Sequence, residues 1–272
     1  MSNLAKRTIT GTLIVLLIIL SVIFSRYVFT CVFLLITILG LWEFYSLLEK
    51  VEIRPNKVLG TVAGAIMFLS NALVAMEIAP LEILLVNFLL LFLVFLLELY
   101  RDIPNPFTNV AFTFFGLLYV AVPFALLNYF PNPGFAADTY EYSVILGFFF
   151  LLWVNESGAY VVGTAIGRHK LFERISPKKT WEGTSGGGVL CLITAWILGQ
   201  FFTFLSPLNW FIIGCIVVVL STYGDLFESM LKRSINCKDS GSLLPGHGGI
   251  LDRFDGFVMA TPFVFVYLLL IS

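Results

Sequence analysis

Residues 209–231 (NWFIIGCIVVVLSTYGDLFESML) and 254–271 (FDGFVMATPFVFVYLLLI) are joined through SMLKRSINCKDSGSLLPGHGGILDRFD, residues 229–255. Two apolar runs of bilayer-crossing length therefore flank one dense polar segment. That segment holds Lys232, Arg233, Lys238, Asp239, His247, Asp252, Arg253 and Asp255. Gly241, Pro245, Gly246, Gly248 and Gly249 stop a helix within it, since proline removes an amide donor and glycine favours turns. The cations suit phosphate, and the carboxylates suit a hard divalent cation. The arrangement points to phosphoryl-type chemistry at a membrane surface.

The rest of the chain has the same apolar character. Its 272 residues are 59% hydrophobic and 12% charged, with 28 Phe, and the mean hydropathy is +0.96. Such a composition excludes a soluble globular domain. A span needs roughly 20 apolar residues, and nine segments qualify: 8–25, 27–48, 58–77, 81–99, 109–130, 143–166, 185–205, 209–231 and 254–271. The expectation is one all-α integral membrane domain of about nine transmembrane helices. Residues 1–140 would be scaffold, and 143–272 the working half with polar loops at 167–185 and 232–254. The first segment is too long for a cleaved signal peptide and lacks a small-residue cleavage site, so it is read as a retained helix.

Basic residues set the expected orientation. Lys6, Arg7, Lys50, Arg54, Lys57, Arg101, Arg168, Lys170, Arg174, Lys178, Lys179, Lys232, Arg233, Lys238 and Arg253 fall on one side of a nine-span arrangement, and only Arg26 on the other. The opposite loop 131–142 offers Asp138 and Glu141 and no Lys or Arg. The expectation is a cytoplasmic N-terminus, an external C-terminus, and both polar loops in the cytoplasm of a cell whose inner or plasma membrane holds the protein. Basic loops also favour anionic lipid headgroups, and no nucleic-acid partner is expected. Cys31, Cys191, Cys215 and Cys237 show no paired or zinc-type spacing, so no disulfide framework or zinc site is expected.

Individual residues sharpen the site. Ser221, Asp225, Glu228, Ser229 and Lys232 recur at i, i+4, i+7, i+8 and i+11, which places them on one helical face. An ionisable group at that depth is costly unless paired or hydrated. Two readings stand: an interhelical ion pair of Asp225 or Glu228 with a lysine, or the wall of a polar cavity facing a metal or nucleotide. Asp252 and Asp255 lie at the entry to the last span, where Asp255 also suits a helix N-cap. Asp225, Asp239 and Asp252, with Asp255, would offer oxygen ligands to Mg²⁺ bridging a triphosphate, and a second cation fits the same donors. Lys232, Arg233, Lys238 and Arg253 would neutralise phosphates. His247, between Gly246 and Gly248–Gly249, is read as a substrate contact more than a general base. Asn155, Glu156, Ser157 and Tyr160 within the sixth span imply a polar interior. Glu43 and Glu98, near the ends of spans two and four, are read as structural carboxylates that snorkel to water.

The spacing S-x-x-K-R-x4-K-D-x-G-x3-P-G-H-G-G-x2-D-R-x-D in residues 229–255 closely resembles the signature of the phosphatidate cytidylyltransferase, or CDP-diacylglycerol synthase, family. The stretch I-S-P-K-K-T-W-E-G-T-S-G-G-G, residues 175–188, resembles that family's upstream element. The resemblance covers roughly residue 150 to the end. It implies a nucleotidyltransferase that joins CTP and phosphatidic acid into CDP-diacylglycerol and pyrophosphate, with Mg²⁺. Ser176, Lys178, Lys179, Thr180, Gly183, Ser229, Gly246, Gly248, Gly249 and Tyr160 would contact substrate. Glu156 stands where the family more often has Asp; one methylene longer, it would serve as a metal ligand only with a shifted geometry. A homodimer through the N-terminal half is expected. Two other classes compete. A CTP-dependent polyprenol kinase would release CDP, and an ion-coupled transporter would use Glu156 and Asp225 as midplane sites. A CDP-alcohol phosphotransferase lacks its D-G-x-x-A-R element here.

Overall fold

The computed structural model describes residues 3–132, 140–237, 240–241 and 248–271, with side chains from residue 10 onward. Lys238, Asp239, Gly246, His247 and Asp138, named above, lie outside the described residues. The helices are α1 Asn3–Phe24, α2 Arg26–Glu49, α3 Lys57–Ala75, α4 Leu85–Glu98, α5 Pro106–Gly116, α6 Val122–Leu127, α7 Tyr142–Ile166, α8 Trp181–Phe201, α9 Pro207–Ser234 and α10 Leu251–Ile271. A 3₁₀ turn, Leu81–Leu84, leads into α4. A π-turn, Leu117–Ala121, joins α5 to α6 ahead of Pro123. Widened turns of this kind accommodate a residue that cannot donate to the ladder.

Among the described residues, eight helical stretches are long and apolar enough to cross a bilayer, and α1 adds a shorter apolar run, Thr10–Phe24. They match the nine expected segments within a few residues, so the chain is an all-α integral membrane protein. One addition was not expected. Strands β1 Lys170–Phe172 and β2 Ser176–Thr180 form an antiparallel hairpin in the loop between α7 and α8. Polar caps start several helices. Ser25 accepts from the Val28 amide, Asn56 from Leu59, Glu141 from Ser143 and Thr180 from Gly183, each satisfying an amide that the helix leaves over.

Contacts divide the chain into two compact units, residues 1–129 with 235–254 and residues 130–234 with 255–272. In the first unit, Tyr45 of α2 is fully buried and its hydroxyl donates to the Thr113 carbonyl at 2.8 Å. A β-carbon at Gly60 or Gly116 would come within 2.5 Å of that ring, so both glycines are fixed by the bulk of Tyr45. Phe124 meets Phe33 at a tilt and Phe254 edge to face. In the second unit, Trp210 is fully buried and its indole donates to the Phe202 carbonyl at 3.1 Å. Helices α7 and α8 lie backbone to backbone, because a β-carbon at Gly187 would sit 2.5 Å from the Asn155 carbonyl oxygen and one at Gly183 2.7 Å from that of Ala159. This small-residue contact is the membrane form of close helix association.

Candidate active site

The predicted polar face of α9 exists. Ser221 accepts a hydrogen bond from the Asn155 amide of α7 at 2.8 Å. One turn further, Asp225 forms an ion pair with Lys179 of β2 and accepts from the Ser229 hydroxyl at 3.3 Å. Glu228 is buried, at 2% exposure, and pairs with Lys232 at 2.6 Å. Asp225 is thus paired with a lysine from outside its helix, whereas the Glu228 pair lies within α9.

Helix α10 adds a further carboxylate to this face. A β-carbon at Gly224 would strike the Asp255 carbonyl, and one at Gly256 would lie 2.8 Å from the Ser221 β-carbon. With no side chain on either helix at this point, α9 and α10 approach closely and Asp255 meets the α9 acids. Ligand oxygens of Asp225, Glu228 and Asp255 all lie within 4.8 Å of one another. Glu156 of α7 is within electrostatic reach of Asp255. Three carboxylates so close repel one another in a poorly solvated setting. Lys179 and Lys232 offset part of that cost, and a hard divalent cation fits the all-oxygen donor set.

The hairpin that carries Lys179 is fastened to the start of α8. Glu182 accepts from the Arg168 amide at 3.0 Å and the His169 amide at 3.1 Å, and its other oxygen lies 2.6 Å from His169 Nδ1. The Trp181 amide donates to the His169 carbonyl at 2.9 Å. Thr180 is buried and its hydroxyl caps α8, while Lys178 is exposed and Ser176 half-buried. Gly183 is occupied in the contact with α7. Tyr160 stands exposed on α7.

In the first unit, the Asp252 carboxylate accepts from the Ser240 amide at 3.0 Å, the Ser240 hydroxyl at 2.9 Å and the Gly249 amide at 2.8 Å. Gly248 has φ +81°, a left-handed conformation that favours glycine; its own β-position would collide with Asp252. Arg253 and Arg233 are exposed. Glu43 departs from the sequence reading. Rather than snorkelling to water, it is 4% exposed, and its carboxylate accepts from Ser240 Oγ at 2.5 Å, Ile250 N at 2.9 Å and Leu251 N at 3.0 Å. The sequence signal was present, an acid inside an apolar helix, but its partners lie about two hundred residues away. Glu228, on the face read as ion pair or cavity wall but not named among the expected metal ligands, likewise joins the acid cluster.

In the second unit, then, a lysine-bearing hairpin meets a carboxylate cluster within a multi-span helical protein. Sequence comparison gives the family. The chain belongs to the cytidylyltransferase family, whose model matches residues 5–271. It is similar to the phosphatidate cytidylyltransferase of Bacillus subtilis (strain 168), 33% identical over 289 aligned positions that take in all of both chains. A Staphylococcus epidermidis protein of that name is 39% identical over 166 residues, 60% of each chain. One from Haemophilus influenzae is 43% identical over 125 residues, 44% of this chain and 43% of its own.

Proposed function

We infer that the protein is a phosphatidate cytidylyltransferase: CTP and phosphatidic acid give CDP-diacylglycerol and pyrophosphate. The observation that carries this is the ion pair between Lys179 and Asp225. It brings the upstream element of the family resemblance to the helix that leads into the signature, at a carboxylate cluster that includes the signature's Asp255. The full-length likeness to the Bacillus subtilis enzyme supports the same reading.

In the reaction a phosphate oxygen of the lipid forms a bond to the α-phosphorus of CTP. The bond from that phosphorus to the bridging oxygen breaks, and pyrophosphate leaves with the electron pair. A phosphate monoester is already largely dianionic at neutral pH, so no general base is required. The protein's work is positioning and charge neutralisation. Asp225, Glu228 and Asp255 would hold Mg²⁺; Asp239 and Asp252 are oxygen donors that the signature offers. The ion would neutralise triphosphate charge. Lys179 and Lys232, with Lys178 and Arg233, would meet phosphate oxygens; Lys238 and Arg253 are further cations that the signature offers. Ser176 and Tyr160 remain candidate substrate contacts, as does His247.

The distribution of basic loops supports a cytoplasm-facing site in the plasma membrane, where CTP is available. Assembly as a homodimer through the N-terminal helices is part of the proposal, supported by the largely uncovered apolar surface of α4. The test is pyrophosphate release from CTP by detergent-purified protein with Mg²⁺, with and without phosphatidic acid. Release that requires the lipid, together with CDP-diacylglycerol, is the expected result. CDP without pyrophosphate would replace this reading with a lipid kinase, and no nucleotide turnover with any lipid would remove the enzymatic reading.

A further inference from the structure

We propose that Glu43, on α2, is a positioning residue for the cytidylyl-transfer reaction, acting on Asp252 through Ser240. The inference rests on the function proposed above.

Glu43 sits in the last third of the apolar helix α2 and is almost wholly buried. A buried carboxylate is retained only where its partners repay the loss of water. Here the partners are all donors: the Ser240 hydroxyl, the Ile250 amide and the Leu251 amide. The two amides belong to the start of α10, where helix geometry leaves N–H groups over and the helix dipole favours an anion. The isoleucine and leucine there have no side-chain acceptor of their own. Glu43 supplies from another helix what an Asp or Ser would supply locally.

Ser240 extends the chain. Its hydroxyl oxygen lies 2.5 Å from Glu43 and 2.9 Å from Asp252 Oδ2, while its amide donates to the same Asp252 oxygen. One hydroxyl proton serves two carboxylates, so the position of each depends on the other. The space is tight, since a β-carbon at Gly249 would strike both Glu43 and Ser240. Glu43, Ser240, Gly249 and Asp252 therefore form one fastened group, all within the first unit. Asp252 is a signature carboxylate, and Glu43 determines how it is presented.

Glutamine at residue 43 tests this. It keeps the length but places an NH₂ where a carboxylate oxygen now accepts, against donors only. The expected result for Glu43→Gln is a fall in kcat of about ten- to a hundredfold, the range for losing a residue that orients a ligating group, with KM for CTP within about twofold. Ser240→Ala, the milder change, should lower kcat in the same direction. Glu43→Gln made in the Ser240→Ala background should cost less than in the wild type, because the two share one path. Hydrogen exchange at the Ile250 and Leu251 amides, read on the same purified proteins, reports the anchor independently of activity. Faster exchange with unchanged kcat, or equal losses in both backgrounds, would overturn the proposal. A wild type with no lipid-dependent turnover would overturn the functional reading and the catalytic role of Glu43 with it, while the exchange data would still show whether Glu43 anchors α10.

Discussion

Replacing Asp225 with asparagine separates a structural carboxylate from a functional one. Oxygens of Asp225, Glu228 and Asp255 lie within 4.8 Å. At an effective dielectric of about 20, two unit charges at that distance repel by about 3 kcal/mol. Asp225 takes part in two of the three repulsions. Its side chain is 36% exposed, so solvent screening reduces each by a large fraction. Against this relief stands the lost ion pair with Lys179, whose side chain is 24% exposed. A pair of that exposure contributes about 0–1 kcal/mol. The Asn Oδ1 still accepts from Ser229, so that bond is kept. The balance predicts that Asp225→Asn is no less stable than the wild type when divalent cations are chelated. Its rate of pyrophosphate release should nevertheless fall by about 10²- to 10³-fold, as when a charge-stabilising group is removed from a reaction site. Thermal unfolding in detergent with EDTA or with excess Mg²⁺ reads both states. The Mg²⁺-induced rise in Tm should be present in the wild type and reduced in the variant. A variant that melts well below the wild type in EDTA and keeps its Mg²⁺ response would refute the reasoning, because Asp225 would then be a structural ion-pair partner only.

Two other substitutions test the frame around the site. Gly187→Ala would gain about 1 kcal/mol in an open helix; wedged 2.5 Å from the Asn155 carbonyl, it should instead lower stability by about 1–3 kcal/mol, seen as a lower Tm. An unchanged or raised Tm would mean that α7 and α8 are not in backbone contact. Glu182→Gln should weaken the acceptor for the Arg168 and His169 amides and so loosen the hairpin bearing Lys179. The expected outcome is a raised KM for CTP with little change in Tm, and an unchanged KM would sever the hairpin's anchoring from nucleotide binding.

The spans were legible because a bilayer asks one simple thing of a sequence, a run of apolar residues about 20 long. The acid face of α9 was legible because helical spacing puts residues 221, 225, 228, 229 and 232 together. What local patterns could not carry was the company each residue keeps. Glu43 looked like a helix-end acid reaching for water, and only the fold brings it to Ser240 and the start of α10. Glu228 could have been half of an ion pair or part of a carboxylate cluster; it is both. The hairpin escaped notice because a three-residue strand, Lys170–Phe172, has too little length for alternation to show. The described residues of 235–254, contiguous in sequence with the C-terminal spans, group with the N-terminal unit. No window of neighbouring residues contains that information.

The hydrogen bonds from Ile250 and Leu251 to Glu43 also bear on biogenesis. A chain entering the membrane from its N-terminus delivers α2 long before α10, yet the first amides of α10 find their acceptor on α2. Unsatisfied amides near the hydrocarbon are costly. The last span therefore completes its opening turn only by docking onto a helix inserted more than two hundred residues earlier. Final maturation waits on the recruitment of one early carboxylate, and a C-terminal fragment synthesised by itself would lack it.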